Sequence, residues 1–236
     1  MSDADLTPPV TLPEPPPPGA TRISVRTAAI LLVFTLVFTA LMAGAYQFTA
    51  PILAATAQDA KRRLIAEVLP ANAYDNDLLT DAIDLPPVAA LGLADPTRAY
   101  RARKDGQPVA LVLETAAPDG YSGEIRMIMA VLADGRIAAV RVTAHKETPG
   151  LGDYIEPKKD KNKSSPWISQ FDQRGFDITP RDKWRVKKDG GAFDQRVGAT
   201  ISARAIVKAT GKALAWLEPR ATPLYSLPAD GRFEEK

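Results

Sequence analysis

The chain has no cysteine and only one histidine, His145, among its 236 residues. The absence of cysteine excludes a disulfide framework, a thiolate nucleophile, a CxxC redox pair, and any iron–sulfur or haem site attached through the chain's own cysteines. A single histidine also excludes a multi-histidine zinc site. The formal net charge of +2 is too close to neutral to indicate a nucleic-acid-binding protein. Any redox chemistry must therefore come from an organic cofactor that requires neither cysteine nor a histidine cluster.

Charged residues are also absent from the 32 consecutive positions 27–58. Within this stretch, 27–48 is apolar and shows no polar stripe. A helix of that length spans about 33 Å, which is enough to cross the hydrocarbon core of a bilayer. We therefore expect a transmembrane anchor, with Tyr46 at the membrane interface. A signal peptide cleaved after Ala45 is the alternative. Basic residues lie on both sides of the segment, so charge alone does not fix its orientation.

Proline is concentrated at the start of the chain, where residues 1–21 hold seven of the 21 prolines. This segment has too few large apolar groups to offset the entropy cost of ordering it, so we expect a disordered tail. A proline-rich docking ligand is the alternative. The rest of the chain is predicted to divide into an anchor at 22–49, a linker and helical segment at 50–98, one folded domain at 99–218 and a C-terminal tail at 219–236.

Apolar, β-rich runs separated by turn dipeptides occupy the centre of the folded domain. Asp105-Gly106 and Asp134-Gly135 each lie between two such runs. An Asp-Gly pair in this position is typical of a tight antiparallel hairpin. We therefore expect three or four antiparallel strands in the centre of the domain. The stretch 71–96 is expected to be a loop region with one short helix.

Two helices are predicted around these strands. The first covers 61–69 and ends at Pro70, and the second covers 201–217. The second has an apolar face made of Ala203, Ile206, Val207, Leu214 and Leu217, and a charged stripe made of Arg204, Lys208 and Lys212. The predicted fold class is therefore α+β, with one N-terminal transmembrane helix followed by a single domain that has a central antiparallel sheet and flanking helices.

The start of the second helix is a candidate binding site. Small residues precede its first turn, and Gly198 allows close approach of the backbone to a ligand. The free N–H groups and the positive end of the helix dipole favour a phosphate there. The simpler interpretation is that Thr200 or Ser202 caps the helix.

The stretch 157–188 is strongly basic, with ten Lys or Arg residues against four Asp. Aromatic residues interrupt it. Three explanations are open: an RNA-binding surface, a solvated excursion packed on its aromatic residues, or a site for an anionic cofactor. The chain has no nucleic-acid fold motif, so RNA binding is the weakest of the three.

The run DQRVGATIS at 194–202 resembles the flavinylation motif of FMN-binding domains, D-x-x-[S/T]-G-A-T-[S/T]. The resemblance implies that Thr200 carries FMN through a phosphoester bond, attached by a separate flavin transferase that uses FAD. The other motif positions fall on Asp194, Gly198 and Ala199, with Ser202 following. The run departs from the motif at two positions: Val197 stands where Ser or Thr is usual, and Ile201 precedes Ser202.

A second run, HKETPGLG at 145–152, resembles the ETPGLG segment of the same domains. The resemblance implies that this loop lies against the flavin. The implied contacts are polar at Glu147 and Thr148, apolar at Leu151, and through close backbone approach at Gly150 and Gly152. Further candidates are Trp184 and Tyr121 for packing on the ring, and Lys187, Lys188 or Arg185 for the phosphate. Core packing is the alternative for both aromatic residues.

Two longer runs, KRRLIAEVLPANAYDND and WRVKKDGGAFDQ, resemble the G-subunit family of the Rnf (Rsx) electron transport complex. This family implies a membrane-anchored flavoprotein that relays electrons within a complex coupling ferredoxin and NAD chemistry to ion translocation. It also implies multi-span partner subunits, and a flavin domain on the periplasmic side of the bacterial inner membrane. The alternatives are a component like the C subunit of the sodium-pumping NADH:quinone reductase, or a stand-alone FMN-binding regulatory or scaffold protein.

Overall fold

The structure, a computed structural model, describes residues 19–234. The predicted disordered tail at 1–21 therefore lies almost entirely outside the described residues. The described part of the chain forms two compact units, one up to Thr56 and one from Ala57 onwards.

The first helix, α1, covers Ala20–Val68. Among the described residues it is the one helix that is long and apolar enough to cross a membrane. We expected a linker at the start of 50–98, between the anchor and a separate helix at 61–69, but α1 runs through both, with Pro51 inside it. Proline removes one backbone hydrogen bond of a helix. The alanine-rich sequence on either side of Pro51 has a high helix propensity, which accounts for the continuation.

The second unit is built on a five-stranded antiparallel sheet in which each strand pairs with the next along the chain. The strands are β1 Ala82–Leu85, β2 Thr97–Lys104, β3 Gln107–Gly120, β4 Gly123–Leu132 and β5 Ile137–Ala144. The predicted hairpin between β2 and β3 is confirmed, since Asp105 and Gly106 both have positive φ, 52° and 75°, as a type I′ turn requires. The second Asp-Gly pair lies between β4 and β5, as expected.

Strand β1 lies within 71–96, which we expected to be a loop region with one short helix. It pairs with β2 from Ala82 opposite Tyr100 to Leu85 opposite Thr97. Four residues are too short to show a clear alternation in the sequence. The strand forms because this pairing buries Ala82, Ile83 and Leu85 against the rest of the sheet.

The helix α2 covers Thr200–Leu217 and packs its apolar face on one side of the sheet. All five residues predicted for that face are buried, and the three residues predicted for the charged stripe are exposed. Ile65 and Val68 at the end of α1, and Leu69 directly after it, belong to a second buried cluster on the other side. The sheet therefore has a helix on each face.

The region predicted as a C-terminal tail contains a short helix, α3, at Ala221–Ser226. Leu224 of this helix is fully buried. The buried Arg101 side chain pairs with Asp81 and donates hydrogen bonds to the carbonyls of Leu224 and Tyr225 at 3.2 Å. This part of the chain is therefore attached to the sheet.

Short 3₁₀ turns complete the described elements, at Ala71–Ala73, Ala89–Leu91, Asp153–Ile155, Trp167–Phe171, Arg181–Lys183, Lys187–Asp189 and Glu218–Arg220. Four of them lie in the long excursion between β5 and α2. Aromatic residues of this excursion pack together, with Phe171 stacked on Phe193 at 4.9 Å between ring centroids. The basic stretch is thus an excursion packed on its aromatic residues.

Candidate functional site

A pocket of about 290 Å³ lies at the amino-terminal end of α2. Three segments meet there: the turn between β3 and β4, the loop after β5, and the loop before α2. The lining residues are Tyr121, Glu147, Thr148, Leu151, Gly152, Gly198, Ala199, Ile201 and Ser202. The fold therefore brings the two sequence motifs, about fifty residues apart, onto the walls of one pocket.

Glu147 is the buried polar centre of this pocket, with 4% of its surface exposed. One carboxylate oxygen accepts a hydrogen bond from the Ser122 backbone N–H at 3.1 Å, and the other accepts from the Ser202 hydroxyl at 2.5 Å. A Cβ added at Gly152 would lie 2.8 Å from Glu147 Oε2. Glycine at 152 therefore leaves room for the carboxylate that joins the β3–β4 turn to α2.

The first turn of α2 has no side-chain cap among the described residues, which corrects the expectation that Thr200 or Ser202 caps it. Ala199 occupies the N-cap position, and Thr200 is the first helical residue. The hydroxyl of Ser202 is instead turned to Glu147. Gly198 has φ = +88°, a conformation that side chains disfavour. The sharp turn at Gly198 presents the uncapped N–H groups of the first turn at the pocket.

Side chains from the excursion hold the main chain of the loop before α2. The backbone N–H of Asp194 donates to Gln170 Oε1 at 2.7 Å, and the Asp194 carbonyl accepts from Trp167 Nε1 at 2.7 Å. The Tyr154 hydroxyl donates to the Ala199 carbonyl at 3.2 Å. Burial raises the pKa of Tyr154 to about 12, so its hydroxyl keeps its proton at neutral pH.

The same loop is held by an ion pair between Arg196 and Asp160. Asp160 is fully buried and also accepts hydrogen bonds from the backbone N–H groups of Trp167 at 2.7 Å and Asn162 at 2.8 Å. Burial by itself raises the pKa of Asp160, but these N–H groups and Arg196 outweigh it and hold the pKa below its usual range. The Arg196 guanidinium also lies over the ring of Tyr154, 4.8 Å from its centroid.

The sequence did not reveal Tyr154, Asp160 or Arg196 as parts of the site. Asp160 lies in a lysine-rich run, which is typical of a solvated surface. Its partner, Arg196, is 36 residues further along the chain. Nothing in the sequence around this aspartate indicates that its side chain is buried. The contact follows only from the folded path of the excursion.

Other predicted site residues do not line the pocket. Lys187 and Asp194 form an exposed ion pair with 2.6 Å between Nζ and Oδ1. Trp184 is buried in the core, donates from Nε1 to the Thr179 carbonyl at 2.9 Å, and packs against Gly211 of α2. For Trp184 the structure therefore has the core packing that was the alternative to a flavin contact.

Apolar side chains surround the mouth of the pocket and remain exposed. They are Tyr121, Leu151 and Ile201. Val197, in the loop before α2, does not line the pocket and is fully exposed. Val197 stands where the motif usually has Ser or Thr. Its side chain points to solvent, so the substitution does not alter the packing of the loop.

Comparison with known proteins identifies two segments of the chain. The FMN-binding domain matches residues 120–215, and the RnfG N-terminal region matches residues 20–68. A protein of Pseudomonas aeruginosa (strain UCBPP-PA14), named as the G subunit of the ion-translocating oxidoreductase complex, is 45% identical over 85% of this chain and 92% of its own length. Proteins of the same name from Vibrio cholerae (strain O395) and Shewanella loihica are 40% and 38% identical, covering 86% and 89% of this chain and 94% and 96% of their own lengths.

Proposed function

The chain belongs to the G-subunit family of the ion-translocating oxidoreductase complex, and from this premise we propose that it is a membrane-anchored flavoprotein that transfers electrons between other subunits of such a complex. The observation that carries the proposal is the pocket at the start of α2. Both motifs line it, and both lie within the match to the FMN-binding domain. The relatives are named as G subunits, which favours this function over a C-subunit-like or stand-alone protein.

The residues of the pocket fit FMN. The uncapped N–H groups at the start of α2 suit a phosphate group, because the helix dipole is positive there. Glu147 and Thr148 offer polar contacts, and Leu151 offers an apolar wall. The volume of about 290 Å³ is at the lower end of the usual range for ligand pockets, which suits a site that encloses part of a flavin and leaves the rest accessible.

The proposed attachment is a phosphoester at Thr200, made by a separate flavin transferase with FAD. The Thr200 hydroxyl oxygen forms a bond to the phosphorus of the FMN half of FAD. The bond from that phosphorus to the AMP oxygen breaks, AMP leaves, and the hydroxyl proton passes to a base of the transferase. No electrons are exchanged in this step. Gly198 and Ala199 shape the turn that presents Thr200, and Asp194, paired with Lys187, marks the start of the loop.

The bound FMN supplies the redox chemistry, because the chain has no redox-active side chain of its own at ordinary potentials. The residues of the pocket bind and orient the cofactor. Glu147 has a positioning role through Ser122 and Ser202, since its carboxylate joins two walls of the pocket. Trp184 and Lys187 support the surrounding structure and have no direct cofactor contact in this proposal.

The proposed location is the bacterial inner membrane, with the flavin domain on the periplasmic side. The apolar helix and the family membership support the membrane anchor. The family resemblance supports the side, since the flanking basic residues do not decide it. The flavin domain is proposed to start before residue 99, because β1 at Ala82–Leu85 is part of its sheet.

The test is the fate of covalent flavin after denaturation. The full-length protein, co-expressed with a flavin transferase, should keep in-gel flavin fluorescence, and its intact mass should increase by one FMN unit less water. Thr200→Ala should lose both signals. Thr222→Ala, which removes an exposed threonine from α3, is the matched control and should keep both. Fluorescence that persists in Thr200→Ala would contradict the assignment.

A further inference from the structure

A buried ion pair lies behind the loop that carries the proposed acceptor, outside the pocket itself. Asp160 is fully buried, and Arg196 has one third of its side chain exposed. Neither residue lines the pocket. We infer that Asp160, Arg196 and Tyr154 are positioning residues that hold the loop before α2 in the conformation in which Thr200 accepts FMN. This inference rests on the proposed modification of Thr200.

The position of Gly198 explains why the loop needs such support. Gly198 lies between Arg196 and Thr200, and its φ of +88° belongs to a region that glycine enters and leaves freely. A glycine therefore gives the loop a flexible point two residues before the acceptor. The chain is held on both sides of that point, by Arg196 before it and by the carbonyl of Ala199 after it.

On the amino-terminal side of Gly198, the loop is held by the ion pair between Arg196 and Asp160. A buried carboxylate is costly unless hydrogen bonds and an opposite charge compensate it, and Asp160 has two backbone N–H groups and a guanidinium. The planar guanidinium of Arg196 fixes direction as well as charge. The Asp160 carboxyl is thus fixed by the excursion, and Arg196 fixes the loop to it.

The hold on the carboxy-terminal side is the hydroxyl of Tyr154. Its hydrogen bond to the Ala199 carbonyl spans 3.2 Å, immediately before Thr200. The two holds are joined, because the Arg196 guanidinium lies 4.8 Å from the centroid of the Tyr154 ring. Tyr154 in turn packs edge-on against Trp167, whose indole N–H donates to the Asp194 carbonyl. Tyr154 and Trp167 therefore contact the loop at three points, Asp194, Arg196 and Ala199.

Loss of these holds should reduce the fraction of protein whose loop is ready to accept FMN. When only a fraction of a folded protein is competent, its apparent affinity for a partner falls by that fraction. We therefore expect the KM of the transferase for this protein to rise, with kcat unchanged at saturation. A role limited to general stability would instead lower the melting temperature and the final labelled fraction, with an unchanged KM for the folded protein.

The experiment measures FMN transfer from FAD to the full-length protein in detergent, with purified flavin transferase. Arg196→Gln leaves Asp160 with its two backbone N–H groups, so this variant is expected to fold, and its KM should rise about tenfold. Tyr154→Phe keeps the ring and removes one hydrogen bond, so its KM should rise about threefold. The folded fraction is measured by circular dichroism for each variant.

Arg204→Gln is the matched control. Arg204 forms a bidentate pair with Asp189 on the exposed side of α2, at 2.6 and 2.8 Å, and none of the described hydrogen bonds or ion pairs joins it to the loop before α2. The KM of the transferase for Arg204→Gln should equal its KM for the original protein. An unchanged KM in both Arg196→Gln and Tyr154→Phe would overturn the inference. Absence of Thr200 labelling in the original protein would instead contradict the proposed function.

Discussion

At the scale of single residues, the position of the Glu147 carboxylate in the pocket depends on its hydrogen bonds and on the residue at 152. Glu147 is held by Ser122 and Ser202, and it occupies the space that a side chain at Gly152 would need. Glycine is therefore required at 152 for a steric reason, although its φ of −93° is accessible to every residue. Gly150, two residues earlier, has φ = +77° but open space around it. The two glycines of the same loop are thus required for different physical reasons.

Gly152→Ala and Gly150→Ala separate these two reasons. Gly152→Ala should displace the Glu147 carboxylate from Ser202, leaving buried groups unpaired, and should lower the free energy of unfolding by about 2 kcal/mol. Gly150→Ala strains only the backbone and should lower it by about 1 kcal/mol. Urea denaturation of the full-length protein in detergent measures both. The steric argument fails if Gly152→Ala is as stable as the original protein.

At the scale of elements, the sequence predicted those that carry a local signal. The Asp-Gly turns identified the β2–β3 and β4–β5 hairpins, and the spacing of apolar residues identified α2 with its correct buried face. Strand β1 was missed because a run of four residues is too short to show an alternation. The linker expected at the start of 50–98 is helical instead, because Pro51 alone does not end a helix in alanine-rich sequence.

The candidate site was predictable to the extent that it consists of contiguous motifs. Residues of both predicted loops, 147–152 and 198–202, line one pocket, although Thr200 itself is not among the lining residues. Their contact with a flavin stays a prediction. The support behind them was not predictable, because Asp160 meets Arg196 across 36 residues of irregular chain. Trp184 illustrates the reverse case. An aromatic residue close in sequence to a cofactor motif belongs to the core when it packs on a helix, as Trp184 does at Gly211.

Trp184→Leu tests how the excursion is attached to α2. Trp184 contacts Phe193, Phe171 and Phe176 through its ring, so its loss creates a cavity and should cost about 3 kcal/mol of unfolding free energy. Because Trp184 does not line the pocket, the visible absorption spectrum of the loaded protein should not shift. Lys212→Ala, on the exposed stripe of α2, is the control and should change the unfolding free energy by less than about 0.5 kcal/mol. A shifted flavin spectrum in folded Trp184→Leu would contradict this and would support the predicted contact between Trp184 and the flavin.

At the scale of the whole molecule, one membrane helix limits what the chain can do. Within the membrane, the backbone N–H and C=O groups of α1 are hydrogen-bonded to each other inside the helix, except for the one bond that Pro51 cannot form. Residues 27–58 also have no charged side chain. Ion paths through membranes depend on polar or charged side chains that face a protein interior. A single apolar helix provides none. We therefore predict that ion translocation takes place in other subunits of the complex, while this chain contributes electron transfer.

The orientation of the chain is the last prediction, and the proposed function depends on it. If α1 crosses the membrane once and the flavin domain is periplasmic, the end of the chain lies on the periplasmic side, since α1 is the one helix of the described residues able to cross. Alkaline phosphatase fused after Lys236 is active only when exported, so cells that carry this fusion should show phosphatase activity. A green fluorescent protein that folds only in the cytoplasm, fused at the same position, should stay dark. The matched control deletes 27–48, which removes the anchor and should reverse both signals. Bright fluorescence without phosphatase activity in the intact chain would place the flavin domain in the cytoplasm and would contradict the proposed route of electrons through a periplasmic flavin.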